Sequence, residues 1–133
     1  MNLFIIFIIF LEGSFAFQSQ DEEIDPWFDV YDPKTYEIND KSLVIKGNGI
    51  MNDCYKENDD WSQITHLVIE ETVKRIGNKC FSEIKQIQTI ELKEGIEIIG
   101  IGSFQGLNIK EITIPSSVRI IQTKSFANCF ELE

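Results

Sequence analysis

"IPSSVRIIQTKSFANC", Ile114–Cys129, halts an alternating β-branched run at Pro115 and reaches Phe126 twelve residues after Ile114. The same interval separates Leu92 from Phe104 in "LKEGIEIIGIGSF" and Ile69 from Phe81 in "IEETVKRIGNKCF". Three equal intervals make a period, and a period in this range is the signature of a stacked repeat architecture.

Working outward, the apolar positions superimpose. Ile64, Leu67, Ile69, Val73, Ile76 and Phe81 recur after 23 residues as Ile87, Ile90, Leu92, Ile96, Ile99 and Phe104, and after a further 22 as Ile109, Ile112, Ile114, Val118, Ile121 and Phe126. A small residue precedes each phenylalanine: Cys80, Ser103 and Ser125. The period-two spacing of Leu67 with Ile69, Ile90 with Leu92 and Ile112 with Ile114 predicts one short strand per copy. Gly95 and Pro115 then turn the chain off the sheet. A second extended piece follows ("VKRIG", "IEIIG", "VRIIQ"), and a tight single-turn helical segment is expected to carry the phenylalanine inward. Burying six large apolar side chains contributes about 1.5–3 kcal/mol each. Ordering each backbone unit of the repeat costs about 1–2 kcal/mol, so a lone copy does not fold. The copies stabilise one another by stacking, and the fold class expected is mostly β, a solenoid of about three 22–23-residue repeats (64–133) behind an amino-terminal cap.

The rest of the chain is of other character. "MNLFIIFIIFLEGSFA" is apolar from Leu3 to Leu11 and ends on Ser14-Phe15-Ala16, the pattern of a secretory leader over residues 1–16. It is too short to span a bilayer, which takes roughly 20 helical residues. The net charge of −10 is concentrated in front, with twelve acidic and four basic residues over 17–63 against nine and eight over 64–133. No basic stripe offers itself to phosphates, which argues against nucleic acid. The acidic segment 17–40 reads as a solvated linker, and a cation-binding or matrix-forming role for it is the alternative in function. "GNG", Gly47–Gly49, lacks the longer pattern of a phosphate loop and reads as a hairpin-like turn between "SLVIK" and "IMND". Three cysteines leave at least one thiol unpaired or joined to another molecule. A Cys54–Cys80 bridge is geometrically possible, whereas Cys80 and Cys129, two layers apart at roughly 10 Å, are beyond disulfide reach. Zinc ligand spacing is absent, and no nucleophile, base and orienting group occur together. No catalytic residue, metal or cofactor is assigned.

The register I-x-I-P-x-S-V-x-x-I, followed by a small residue, Phe and a later Cys, is carried by Ile112, Ile114, Pro115, Ser117, Val118, Ile121, Ser125, Phe126 and Cys129. It resembles the BspA-like class of leucine-rich repeat, found in surface and secreted proteins of bacteria and anaerobic protists. "LVIKGNGIMND", Leu43–Asp53, and the later Trp61 resemble that family's amino-terminal cap, placed here at 41–63. The resemblance implies a right-handed solenoid and members that act in adhesion and protein binding, extracellular-matrix or host surface proteins among the partners, without chemistry of their own. The outward strand positions form the columns His66, Thr89, Glu111; Val68, Glu91, Thr113; and Glu70, Lys93, Pro115. In leucine-rich repeats this concave face is the usual binding surface. After Phe126 only "ANCFELE" remains, which predicts that Ile112, Ile114, Val118 and Phe126 stand partly open, and that the chain either self-associates there or is a short relative of longer arrays.

Overall fold

The structure, a computed structural model, describes residues 27–55 and 59–133. The expected leader and residues 17–26 of the acidic segment lie outside the described residues. Among the described residues nine short strands follow in order: β1 Trp27–Phe28, β2 Tyr36–Asn39, β3 Ser42–Ile45, β4 Gly49–Met51, β5 His66–Ile69, β6 Val73–Ile76, β7 Thr89–Leu92, β8 Ile98–Ile99 and β9 Ile120–Ile121. They form a five-stranded sheet, β1-β4-β6-β8-β9, and a four-stranded sheet, β2-β3-β5-β7. All neighbours are parallel except the β2/β3 pair. The pairs β3/β4, β5/β6 and β7/β8 each give one strand to each sheet, whereas the third copy gives β9 alone, and the buried apolar residues of both sheets face the space between them. This is a mostly β solenoid.

Layering comes from period-two burial on flat strands. Leu67 and Ile69 turn inward and are fully buried, while His66 and Val68 on the same strand face out. The register stacks like on like: His66 opposite Thr89, Leu67 opposite Ile90, Val68 opposite Glu91 and Ile69 opposite Leu92. The rings of Trp61, Phe81, Phe104 and Phe126 form a continuous ladder with centroid spacings of 5.6, 5.9 and 5.4 Å. These lie within the usual range for paired aromatics, so one column of rings runs through every layer.

The segment that carries each phenylalanine is not a helical turn. Two residues in each layer, at −2 and +2 from the ring, take left-handed backbone: Lys79 and Glu83, Gly102 and Gly106, Lys124 and Asn128, all with φ between 59° and 78°. Left-handed residues cannot propagate a right-handed helix. The alternation instead aims every second N–H group at the next layer. Lys79, Phe81 and Glu83 donate to the carbonyls of Ile101, Ser103 and Gln105, and Gly102, Phe104 and Gly106 donate to those of Thr123, Ser125 and Ala127. The small residue before the ring is explained by the same packing. Ser103 is fully buried, and its hydroxyl donates to the carbonyls of Gly77 and Gly100; Ser125 repeats this with Gly100 and Gln122. Gln122 replaces the glycine of the earlier layers, yet this turn is kept.

Two expectations for the front of the chain give way. β3 and β4 belong to different sheets, so Gly47–Gly49 is the corner of a coil and not a hairpin. Gly47 is required there, since a Cβ would sit 2.3 Å from the Phe28 ring. The described part of the acidic segment is likewise not a linker. Phe28 and Val30 are buried, β1 pairs with β4, and β2 pairs antiparallel with β3 around Asp40, at φ 58°. The acidic side chains of the stretch stay at the surface while its few apolar ones close the amino-terminal end, where Trp61 packs between Tyr31, Tyr36 and Phe81. Cys54 and Cys80 form a disulfide, and Cys129 is a buried free thiol that donates to the Phe104 carbonyl at 3.1 Å.

Candidate functional site

The outer face of the four-stranded sheet is where the sequence places its binding columns, and the structure builds it differently at each end. At the carboxyl end it is shorter. Residues 111–115 carry no strand and the sheet stops at β7, so Glu111 and Thr113 are exposed but do not continue the columns. A strand is defined by pairing as well as by pattern, and the third copy has the pattern alone. At the amino end the face is longer. Ser42 stands opposite His66, and Val44 opposite Val68, while β2 adds Glu37 opposite Val44 and Asn39 opposite Ser42. The columns therefore run Asn39, Ser42, His66, Thr89 and Glu37, Val44, Val68, Glu91. Reading "SLVI" as a further copy of "HLVI", 24 residues earlier, would have found them.

Chemically the face is a pair of half-buried valines, Val44 and Val68, between polar groups that satisfy one another. His66 Nδ1 contacts Thr89 Oγ1. Lys93 Nζ lies 2.7 Å from Glu91 Oε2, and Lys46 Nζ lies 2.5 Å from Glu37 Oε2. Hydrogen bonding to Lys93, then its charge, holds the Glu91 carboxyl below its ordinary value, and the same pair raises Lys93. The Lys46 hydrogen bond and then that of Asn39 lower Glu37. Glu70 sits at the corner after β5, its N–H donating to the Ile45 carbonyl at 3.0 Å. Such pairs are exposed and individually weak, but they fix charge positions on a rigid sheet. Among the described residues no cluster of three or more His, Cys, Asp or Glu is placed to hold a metal ion.

On the other sheet lies a network that the sequence did not disclose. The Arg75 guanidinium donates to the Met51 carbonyl, Asp53 Oδ1 and Asn78 Oδ1 at 3.2, 3.0 and 2.9 Å. Asp53 also accepts from the Asn78 amide and side chain, both at 3.0 Å, and Asn78 Oδ1 accepts from the Ile101 N–H at 2.7 Å. It ties three layers together. Partial burial pushes the Asp53 carboxyl up, but the bonds from Asn78 and Arg75 together outweigh this and hold it low. Glu94 is held low by the Ser116 hydroxyl and amide and then by Ser117 of the next layer.

With four carboxyls depressed in the folded state, stability is fully present above the unfolded carboxyl range near pH 4 and is lost as pH falls through the lower folded values. Urea midpoints are expected to be flat from neutrality to about pH 5 and to drop below it. Asp53→Asn should make that drop shallower. An unchanged midpoint at pH 3 would remove these networks from the account of stability. Lys93, being raised, adds stability below its ordinary value that fades only at strongly alkaline pH.

The molecule is a two-sheet coil with a ladder of stacked rings, buried serine hydroxyls beside it and an aromatic cap. A family model described as the BspA type leucine-rich repeat region (6 copies) matches residues 48–133, well over half of the chain. The chain belongs to this family. No curated protein and no solved structure matches it. Leucine-rich repeats of the BspA type are generally non-catalytic scaffolds for protein binding or surface interactions, and proteins that carry them are commonly surface-located or secreted. In this BspA-type chain the match begins at Asn48, inside the cap corner, so β4 and the Asp53 network fall within the family region while β1 to β3 precede it.

Proposed function

We propose that the chain is a secreted or cell-surface protein that binds another protein, an extracellular-matrix or host surface component, in an adhesive role and without catalysis. The observation that carries this is the outer face of β3, β5 and β7, where Val44 and Val68 form an apolar centre ringed by Ser42, His66, Glu70, Thr89, Glu91 and Lys93. An apolar middle with a polar rim is the anatomy of a protein interface. The side chains are held in register by parallel pairing, so little order has to be gained on binding. The Cys54–Cys80 disulfide supports an oxidising compartment, where such bonds persist.

Binding to immobilised matrix proteins tests the reading. Val68→Glu, and separately Glu91→Lys with Lys93→Glu, should weaken capture at least tenfold, about 1.4 kcal/mol. Melting should stay close to that of the parent. Capture that is unchanged in both variants would take this face out of the proposal.

A further inference from the structure

The outer side of the five-stranded sheet, opposite the proposed binding face, has a chemistry of its own. Ile98 and Ile101 take in the second layer the places that Arg75 and Asn78 hold in the first, where the two side chains meet at 2.9 Å. The two isoleucines are therefore neighbours on the surface. Ile101 is 39% exposed and Ile98 half-buried, although this layer has a neighbour on either side. Ile120, next in the column of Ile98, extends the apolar strip. A row of charge runs along the stack on each flank. Lys74, Glu97 and Arg119 form one, joined by backbone bonds of 2.8 Å. Lys79, Gly102 and Lys124 form the other, in matching left-handed positions. A Cβ on Gly102 would lie 3.4 and 3.6 Å from Cγ and Cε of Lys79, so the lysine stem runs along this row over the glycine. We infer that the strip is a second docking surface, for an amphipathic helix of another protein whose apolar stripe is bordered on both sides by carboxylates.

Two observations select that partner. The first is unpaired charge. Lys74, Lys79, Arg119 and Lys124 are all exposed, and among the described residues none of them has an ion-pair partner. On the opposite face Lys46 and Lys93 are held by Glu37 and Glu91. Arg75 is neutralised by Asp53, and Glu97 is the one acid in the two rows, so the strip keeps a surplus of positive charge on a chain of net charge −10. An acidic partner is steered to this strip and away from the acidic remainder. The second observation is the isoleucines. A polyanion such as a sulfated glycan answers the cations but leaves the apolar strip unmatched. A helix laid along the stack with its apolar face down matches both, its carboxylates meeting a cationic row on either side. The cations come from three separate stretches of chain, which is why no basic run shows in the sequence. This inference is independent of what binds the four-stranded sheet.

Fluorescence anisotropy with two labelled synthetic helical peptides tests it, each with a leucine stripe, one bordered by glutamates and the other by lysines. The parent chain should bind the glutamate peptide at least about tenfold more tightly than the lysine peptide, and less tightly as salt rises. Lys79→Glu combined with Lys124→Glu should weaken that binding at least about tenfold. The fold accepts glutamate at these positions, since Glu83 adopts the same backbone. Ile101→Ser should weaken it about fivefold with every cation in place. Val68→Glu, on the opposite face, should leave it unchanged, and all variants should keep the parent far-ultraviolet circular dichroism. A glutamate peptide that fails to bind below about 1 mM, or that binds the charge-reversed variant as it binds the parent, overturns the inference. So does binding that is indifferent to Ile101→Ser, which is the behaviour of a general polyanion site.

Discussion

Phe104→Ala is expected to remove about 3–5 kcal/mol of stability, the cost typical of emptying a fully buried aromatic site. The ring is sandwiched between Phe81 at 5.9 Å and Phe126 at 5.4 Å, and its backbone bonds to the layer that follows, with the Phe104 N–H donating to Ser125. The walls of the vacated space belong to neighbouring layers whose main chains are pinned by the same ladder, so collapse onto the cavity is limited. In a stacked array stability is a sum of layer terms and nearest-neighbour terms. A hole in the middle layer weakens both of its interfaces. Since a domain of this size has about 5–15 kcal/mol in total, the variant should be largely unfolded by modest urea. Phe126→Ala should cost less than half as much, because that ring is only partly buried. Equal losses in urea titrations of the two variants would contradict this difference in burial between Phe104 and Phe126.

The ladder was legible because its residues repeat at a fixed interval and are nearly invariant in type: a column such as Phe81, Phe104, Phe126 is visible before any geometry is known. The limits of the reading follow from the same fact. Ser42–Ile45 occupies the same place as His66–Ile69, but it occurs 24 residues earlier and lacks a phenylalanine at the expected distance, its ring being Trp61 at the end of a different path. In residues 27–40, four acidic side chains, Asp29, Asp32, Glu37 and Asp40, alternate with the four residues that do the packing, Phe28, Val30, Tyr31 and Tyr36, so composition pointed to a linker in a stretch whose strands form by pairing with β3 and β4. The left-handed positions were hidden because only the second layer spells them with glycine, at 102 and 106; elsewhere Lys79, Glu83, Lys124 and Asn128 adopt the same backbone, the first two while donating their N–H groups to the next layer. The outward columns of the binding face were readable as positions, yet their extent was not. Whether residues 112–114 become a strand depends on pairing, which an alternating pattern cannot specify.

Loss of the Cys54–Cys80 bond is expected to be the other large perturbation. The bond closes a loop of 26 residues, and chain-entropy reasoning puts its contribution at about 3.5 kcal/mol, within the range of about 2–5 kcal/mol for native disulfides in small secreted domains. What the loop contains makes the effect local as well. It runs from the end of the cap, through Trp61, to the first phenylalanine turn, so the bond fastens the closed end of the solenoid to its first full layer. Cys80 stands in the column that holds Ser103 and Ser125 in the later layers, which supplies a clean variant. Cys80→Ser places there the residue that the fold already accommodates twice, and Cys54→Ala removes the partner, so the pair of substitutions deletes the cross-link with little disturbance of packing. The double variant should melt at least about 8 °C lower, taking about 4–8 °C per kcal/mol near this size at the small-domain end and about half that at the large. Its Trp61 fluorescence should change before the bulk of the β signal is lost, because the cap then opens ahead of the stack. A reducing agent should give the same shift in the parent chain and none in the variant. Coincident tryptophan and circular dichroism transitions at the parent temperature would show instead that the β1–β4 and β3–β5 pairings hold the cap without help.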